Sequence, residues 1–288
     1  MEIKDFIDLH VHIGPEPIPR KFTLETLVSE ENDRICGIGL KNHFYPTTPF
    51  IASLKNTTNL ELIGSVVLNN YVGGLNPDVV YSTAKISEKP IIVWFPTINA
   101  DNYLKRSKYE IRPEWVNNKF KSRLSSEIRG ITVIDSSGKL IEKARSVLKM
   151  IKDNNSILAT GHISTVETEL VVAEALGLGI DKIIITHPMY QLIEMPIDKQ
   201  AEISQTKGVY IEVPYSMYAI DKISIVELTK VIKKVHPSKA IISSDVGQIN
   251  MPSPSVALRE FTLLLKENGI DEDSINQMGN TNPRKLIT

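Results

Sequence analysis

Residues 6–12 have the sequence FIDLHVH, and this stretch predicts a β-strand that ends in two histidines. Side chains in a strand point alternately to opposite faces, so His10 and His12 are expected to share one face while Leu9 and Val11 pack on the other. Two imidazoles on one face can bind the same metal ion. Later strands of the same sheet would have to supply the remaining ligands.

Strand and helix signals alternate along most of the chain. Apolar runs are followed by helix starts such as Thr48-Pro49 and Ser253-Pro254, where a capping residue precedes a first-turn proline. Residues 164–167 and 224–227 fit the capping box, in which a serine and a glutamate satisfy backbone donors at a helix start. The predicted strands span about residues 6–12, 35–43, 61–69, 90–97, 156–162, 181–187, 208–215 and 239–245.

These eight strands, separated by helices, predict a closed (β/α)8 TIM barrel with parallel pairing. An open doubly wound sheet is the alternative, and its nucleotide-binding form is weakened because no Gly-x-Gly-x-x-Gly turn follows the first strand. The chain shows no internal repeat and no long linker, so we expect a single domain over residues 1–288.

The alternation pauses in an elaborated segment after strand four, at about residues 99–135, which is rich in lysine and arginine. We expect an extra strand at Gly130–Asp135 within it, followed by a helix at about Leu140–Lys152. The segment is either a solvated excursion or a lid or oligomer contact beside the active site, and the sequence leaves this choice open.

The overall composition is that of an ordinary globular protein. A formal net charge of -1 argues against a basic nucleic-acid-binding protein, and apolar runs such as Pro90–Ile98 are shorter than the ~20 residues that cross a bilayer. The charged start Met1–Asp5 does not resemble a signal peptide, and the single cysteine, Cys36, fits a reducing compartment. We therefore expect a cytoplasmic protein that acts on a small molecule, without nucleic-acid or membrane partners. A homo-oligomer is an open expectation, since barrels often assemble.

Residues that bind metals collect at the predicted C-terminal ends of the strands. Barrel active sites form at this rim. It carries five of the six histidines and one aspartate: His10, His12, His43, His162, His187 and Asp245. Neutral imidazoles with a carboxylate are a ligand set for zinc, and also for iron or manganese. The sixth histidine, His236, ends a predicted helix on the opposite rim, where a positive charge complements the helix dipole.

This ordered set of strand-end residues resembles the amidohydrolase superfamily of metal-dependent hydrolases, which are TIM barrels. The resemblance implies that His10, His12 and Asp245 bind the first metal ion and that Asp245 accepts a proton from the attacking water. It also implies two roles for His162 and His187. Either they hold a second metal, or His162 completes the first site while His187 polarises the substrate carbonyl.

Two departures from the superfamily pattern leave one or two metal ions open. Members with two metals usually carry a carboxylated lysine or a glutamate after strand four, where this chain has Phe95-Pro96-Thr97. Lys41 shares a face with His43 after strand two, so Lys41 is a candidate for a bridging ligand or a substrate contact. A histidine at the position of His43 resembles the polymerase-and-histidinol-phosphatase type of phosphoesterase, although Asp245-Val246-Gly247 lacks the second histidine of that type.

The resemblance therefore implies a metal-dependent hydrolase, with Asp245 and His187 as catalytic residues, that cleaves an amide, ester or lactone bond or deaminates a small molecule. Its divalent ion is expected to be zinc, with manganese or iron as alternatives. The competing hypotheses are the phosphoesterase and a barrel that binds a ligand without turnover. Glu212 is a possible acid, but it is not preferred because it is out of phase with Ile211 and Val213. Candidates for substrate contact are Arg20, Lys41, Asn69, Asn99, Tyr190 and Tyr215.

Overall fold

The computed structural model describes residues 2–54, 58–116 and 121–288. Within these ranges the strands are short and pair in parallel. They are β1 (Ile7–His12), β2 (Gly37–Lys41), β3 (Glu61–Ile63), β4 (Ser65–Val67), β5 (Ile92–Trp94), β6 (Ile157–Ala159), β7 (Ile183–Ile185), β8 (Val209–Pro214) and β9 (Ala240–Ser243). The α-helices are α1 (Leu24–Glu31), α2 (Thr48–Ala52), α3 (Pro77–Ile86), α4 (Asp101–Arg106), α5 (Glu142–Asp153), α6 (Thr165–Gly177), α7 (Ile197–Ser204), α8 (Tyr215–Ala219), α9 (Ile225–Val235), α10 (Pro254–Glu267), α11 (Glu272–Asn276) and α12 (Asn282–Ile287).

The strands form a barrel in which one strand is interrupted. β3 pairs with β2 and β4 pairs with β5, and Gly64 alone separates β3 from β4, so the two together make one barrel strand. The barrel closes between β1 and the residues after β9. There, His12 N donates to the Val246 carbonyl (2.8 Å) and Asp245 N donates to the His10 carbonyl (2.9 Å). The strand order thus follows the sequence around a (β/α)8 barrel, which confirms the expected fold.

Local sequence explains why the helices begin where they do. Ser164 and Ser224 each accept a hydrogen bond from the backbone of the glutamate three residues later, and each glutamate bonds back to the serine nitrogen. Both predicted capping boxes are therefore confirmed. They start α6 and α9, two of the helices that cover the outside of the barrel.

A small apolar cluster fills the barrel interior beneath the rim. Its members from the strands include Ile7, Ile92, Trp94 and Ile241. The α12 residues Leu286 and Ile287 complete this cluster. Asn282 at the start of α12 donates to the Ala240 carbonyl, which places the helix at the N-terminal ends of the strands. The bottom of the barrel is therefore plugged by α12.

A β-bulge in β1 decides where the first histidines point. Pairing with β2 shifts its register between Asp8 and Val11. Leu9 belongs to the interior cluster, whereas Val11 packs in the outer core between strands and helices. The expectation that Leu9 and Val11 share a face is therefore wrong. Because of the bulge, His10 also turns inward, and its ring lies 4.5 Å from the Trp94 ring.

In the described parts of the segment, residues 99–116 and 121–135, α4 is followed by two short 3-10 helices, Pro113–Trp115 and Ser125–Glu127. No strand forms at Gly130–Asp135, all of which the structure describes, so the predicted extra strand is wrong. The physical reason is that the backbone of Ile131 makes only a single bridge. The next residues turn to a side chain instead, because Val133 N donates to the Glu167 carboxylate of α6 (3.1 Å).

Candidate metal centre

Three side chains with metal-binding atoms meet at the C-terminal rim of the barrel. Asp245 Oδ1 lies 3.0 Å from both His10 Nε2 and His12 Nε2. One donor atom from each residue lies within 4.8 Å of the others, and all three residues are buried. A carboxylate oxygen this close to two ring nitrogens requires protons or a cation between them. The group therefore has the donor set and the spacing to hold a metal ion.

Glu212 and Lys41 fix the state of His10. Glu212 Oε1 lies 2.8 Å from His10 Nδ1, so it accepts the Nδ1 proton, and Nε2 is the ring nitrogen that faces the rim. Lys41 Nζ lies 2.9 Å from that Nε2. Burial alone would lower the pKa of His10, but the carboxylates of Asp245 and Glu212 outweigh burial, so this pKa is raised. Burial lowers the pKa of Lys41 to about 8. The surroundings of Nε2 favour positive charge.

Asp245 is held as a carboxylate. Burial opposes its charge, but the contacts with His10 and His12 keep its pKa well below the usual range. Its second oxygen, Oδ2, accepts a hydrogen bond from Ser216 Oγ (2.7 Å). The backbone of Asp245 has a φ of 51°, a left-handed conformation that aspartate adopts more readily than most residues. An ionised carboxylate in a fixed orientation is suited to bind a cation or to take up a proton.

His162 and His187 lie beside this group but are not part of it. The His187 ring is 5.9 Å from the His10 ring, and the His162 ring is 5.1 Å from His187. Both Nδ1 atoms are buried and have no hydrogen-bond partner among the described residues. Burial lowers the pKa of His162 well below its usual range and that of His187 to about 4, so both rings are neutral at pH 7. Neutral rings with an unsatisfied nitrogen can contact an ion or a polar substrate.

Arg20 and Glu16 surround His12 on its other side. Arg20 Nη2 lies 3.1 Å from His12 Nδ1, and Arg20 Nε donates to Glu16. The other oxygen of Glu16 accepts from the backbone nitrogen of His43 (2.8 Å). Burial and the charge of Arg20 hold the pKa of His12 well below its usual range. Arg20 lines the cavity, yet its guanidinium is already engaged with two protein partners.

The other predicted residues divide between the cavity and its surroundings. His43 and Tyr190 line the cavity, and His43 Nδ1 lies 3.0 Å from Thr97 Oγ1. Tyr215 points elsewhere, because its hydroxyl donates to Glu260 of α10 (2.8 Å). The structure therefore does not bring Tyr215 to the predicted site.

Asn69 and Asn99 are used within the protein. Asn69 Nδ2 donates to Thr97 Oγ1 (2.9 Å), and Asn99 Nδ2 donates to Glu110 Oε1 (2.6 Å). Glu110 also accepts two hydrogen bonds from the Arg123 guanidinium. The contacts of Glu110 hold the basic segment together, and the Tyr71 hydroxyl, which donates to Glu110 Oε1 (2.5 Å), links the segment to the loop after β4.

A cavity of about 420 Å³ opens above the three donor residues. His162, His187 and Lys41 line it along with His12 and Asp245. Much of the remaining wall is apolar: Ile18, Ile98, Trp115, Met217, Ile220 and Met251. The size suits a small organic molecule with an apolar body.

Trp115 shows that the basic segment takes part in this cavity. Its ring lies against the Arg112 guanidinium at 5.1 Å, and Arg112 donates to the hydroxyl of Tyr190 (3.3 Å). Trp115 and Val116 of this segment are thus part of the cavity wall. This supports a role beside the site rather than a solvated excursion alone.

Sequence reasoning missed two buried carboxylates. Glu212, which its phase in the strand did not favour, hydrogen-bonds His10, because Tyr210 on the same face of β8 points into the barrel and Glu212 follows it. Asp8 Oδ1 accepts from His10 N (3.1 Å) and Ser244 N (3.0 Å), and burial raises the pKa of Asp8 to about 7. The sequence signal that could have identified Asp8 is its two-residue spacing from His10, which places both residues on one face of a regular strand.

The fold is that of amidohydrolase-type structures. The chain is similar to an amidohydrolase from Pseudomonas aeruginosa, with a TM-score of 0.60 and 9% identity over 98% of this chain and 95% of that one. It is also similar to the probable dipeptidase PvdM from the same organism, with a TM-score of 0.63 and 12% identity over 98% and 94%. A third likeness is to a putative 2-pyrone-4,6-dicarboxylic acid hydrolase from Pseudomonas putida, with a TM-score of 0.54 and 11% identity over 98% and 97%. These likenesses confirm the fold expected from the resemblance.

A match to a family model assigns the chain to a protein family. Residues 5–212, more than half of the chain, match the model described as "Family of unknown function (DUF6282)", and the chain belongs to that family. A comparison with curated proteins finds no match. Across residues 2–54, 58–116 and 121–288, none of the helices has the length and apolar character needed to span a bilayer.

Proposed function

We propose that the chain is a metal-dependent hydrolase that cleaves an amide, ester or lactone bond of a small molecule, or deaminates it. The observation that carries this proposal is the buried group of His10, His12 and Asp245 at the floor of a ligand-sized cavity. We expect these residues to bind a divalent ion, zinc first, with manganese or iron as alternatives. Glu212 supports the assignment, because it orients His10 as carboxylates orient metal-binding histidines.

The chemistry divides between the ion and the side chains. A bound divalent metal would supply Lewis acidity, which makes water a nucleophile near pH 7 and polarises a carbonyl. Asp245 accepts the proton of the attacking water and passes it to the leaving group, since it is ionised and fixed by Ser216. His187 is neutral and lines the cavity, so its ring can donate a hydrogen bond to the substrate oxygen as charge develops there.

The number of ions is part of the proposal. In the one-ion form His162 completes the site, and in the two-ion form His162 and His187 hold the second ion. Lys41 and His43 are then the candidates for a further ligand or a substrate contact, because both line the cavity within reach of the donor group. Arg20 is a weaker candidate for substrate contact, since its guanidinium already has two protein partners.

Metal analysis and a substrate panel test the proposal. Protein purified without added metal should contain zinc, iron or manganese, and a chelator should abolish hydrolysis of amides, esters or lactones until metal is returned. The double substitution His10→Ala and His12→Ala should remove both metal and hydrolysis. His236→Ala is the matched control, because the His236 ring hydrogen-bonds its neighbour Ser238 at the end of α9 and is not among the donor residues of the site.

The same panel separates the competing functions. Phosphate release from phosphomonoesters, without hydrolysis of the carbonyl substrates, would establish the phosphoesterase instead. Ligand binding without turnover in metal-loaded protein would identify a binding barrel. A cytoplasmic location also stays a proposal that rests on the single cysteine, Cys36. A homo-oligomer is tested by light scattering of the purified protein.

A further inference from the structure

The environment of His12 differs from that of His10 in a way that bears on metal binding. A histidine that binds a metal through Nε2 normally donates its Nδ1 proton to a carboxylate or carbonyl oxygen. His10 follows this rule, with Glu212 as the acceptor. His12 does not, because its Nδ1 faces the Arg20 guanidinium at 3.1 Å. A guanidinium carries N–H groups only and cannot accept a hydrogen bond.

The contact with Arg20 therefore fixes the tautomer of His12. Nδ1 has to accept from Arg20, so in the neutral ring the proton resides on Nε2. Nε2 lies 3.0 Å from Asp245 Oδ1, which is the distance of a hydrogen bond from an N–H to a carboxylate. His12 is satisfied at both nitrogens without a metal. Binding through Nε2 would move the proton to Nδ1 and set it against the N–H of Arg20.

Arg20 is not free to turn away from this contact. Its side chain is 3% exposed, and Glu16, which is itself buried, bonds its Nε. The second oxygen of Glu16 is in turn held by the backbone nitrogen of His43. The guanidinium thus belongs to a buried chain that runs from the loop after β2 through Glu16 and Arg20 to His12.

We propose that Arg20 is a positioning residue that holds His12 as the Nε2–H tautomer. In this state His12 orients Asp245, and the affinity of the site for a divalent ion is lowered. The inference rests on the proposed metal site. Its tests read tautomer and metal affinity rather than turnover, so it can fail while hydrolysis stands, and hydrolysis can be absent while it holds.

The first test measures the Zn²⁺ dissociation constant by competition with a chromophoric chelator, on metal-stripped protein. The key variant combines Glu16→Gln with Arg20→Gln, which removes the buried charge pair together and offers His12 Nδ1 an amide oxygen that can accept. We expect its dissociation constant to fall about tenfold, the lower end of the usual effect of such outer contacts. Equal constants in this variant and the wild type would overturn the proposal.

Two control variants separate the donor effect from the charge pair. Arg20→Lys keeps a donor that cannot accept, so its affinity should stay within about threefold of the wild type. Glu16→Gln alone leaves Arg20 without its neutralising partner, so it should bind Zn²⁺ no more tightly than the wild type. Tighter binding in either control equal to that of the double variant would contradict the assigned role of Arg20.

The second test needs no variant that disturbs Arg20. Long-range ¹H–¹⁵N correlation spectra of metal-free wild-type protein with labelled histidine report which ring nitrogen carries the proton, and His12→Gln assigns the His12 signals by their loss. We expect a protonated Nε2 and an unprotonated Nδ1 for His12. A protonated Nδ1 on neutral His12 would refute the inference whatever the affinities are.

Discussion

Replacing Glu212 by glutamine tests how the barrel interior prepares His10. The carboxylate accepts three hydrogen bonds, from His10 Nδ1 (2.8 Å), Ser243 Oγ (2.7 Å) and His187 N (3.2 Å). Burial alone would raise the pKa of Glu212, but the charge of His10 keeps this pKa below its usual range, so the group is ionised at pH 7. Glutamine has nearly the same shape and retains only one accepting oxygen.

The structure decides how the amide will sit. The backbone nitrogen of His187 can only donate, so the remaining oxygen must stay at that contact, and the NH2 group must face His10 and Ser243. Ser243 can reverse its hydroxyl and accept. His10 can accept only by moving its proton to Nε2, which removes the lone pair that would bind the metal.

The magnitudes follow from the loss of one charge-assisted contact. We expect the free energy of unfolding to fall by roughly 2 kcal/mol, the usual worth of a hydrogen bond to a charged group. Metal affinity should fall between about 10-fold and 100-fold, as is typical when the partner of a metal-binding histidine is changed. Chelator competition measures the affinity, and urea denaturation of metal-free protein measures the stability.

Glu31→Gln is the matched control for this substitution. Glu31 is also buried and accepts a backbone hydrogen bond, from Ser255 N (3.2 Å), but it lies in α1 and contacts none of the histidines. It should lower stability without changing metal affinity. If Glu212→Gln binds zinc as tightly as the wild type, then Glu212 does not set the tautomer of His10 and the assignment of the metal centre loses its main support.

Three further substitutions probe the surroundings of the site. Gly247→Ala should lower the free energy of unfolding by about 2 kcal/mol or more, because Gly247 has a φ of 139° and a Cβ there would overlap the His12 carbonyl of β1. Gly177→Ala is the control and should be neutral or stabilising, because its added Cβ meets nothing within 4 Å. Chemical denaturation compares the two variants. Burial raises the pKa of Asp221 from 3.8 to about 6, so the folded protein binds this proton more tightly and loses stability as the pH rises from about 4 to 6. Asp221→Asn should therefore be more stable than the wild type by up to about 3 kcal/mol at pH 7 and equally stable at pH 3. Thermal melts at a series of pH values measure the difference. Glu110→Ala should loosen the segment that carries Trp115 and raise KM with little change in kcat. Limited proteolysis of that segment should then be faster than in the wild type. Unchanged proteolysis would contradict the anchoring role of Glu110.

Local patterns were sufficient to predict the barrel and the rim. β1 ends at His12, and β7 and β9 end two residues before His187 and Asp245. These strand ends and the capping boxes of α6 and α9 depend on neighbours a few residues away, and such signals are present in the sequence. Their convergence followed from one rule, that parallel strands present their C-terminal ends together. The roles assigned to these side chains remain predictions until metal and substrate are measured.

Other features depend on contacts that no local pattern encodes. The sequence does not show that Glu212 of β8 points into the barrel. Ile211 and Val213 pack in the outer core, and in a strand buried on both faces apolar residues do not mark the interior. The bulge in β1 changed the face of Leu9, and a bulge has no reliable sequence signature here. The contact of Arg20 with His12 depends on the path of a loop, which only the folded structure supplies.

The ring of strands is completed by the same residues that gather the ligands. His12 and Asp245 are 233 positions apart, and backbone bonds at these two places join the first strand to the last. During synthesis His10 and His12 are made long before Asp245, so a nascent chain does not contain all three donor residues until almost the whole barrel has emerged from the ribosome. Contacts between such distant positions form slowly. Uptake of the proposed divalent ion during refolding should therefore mark the last stage of assembly rather than its start.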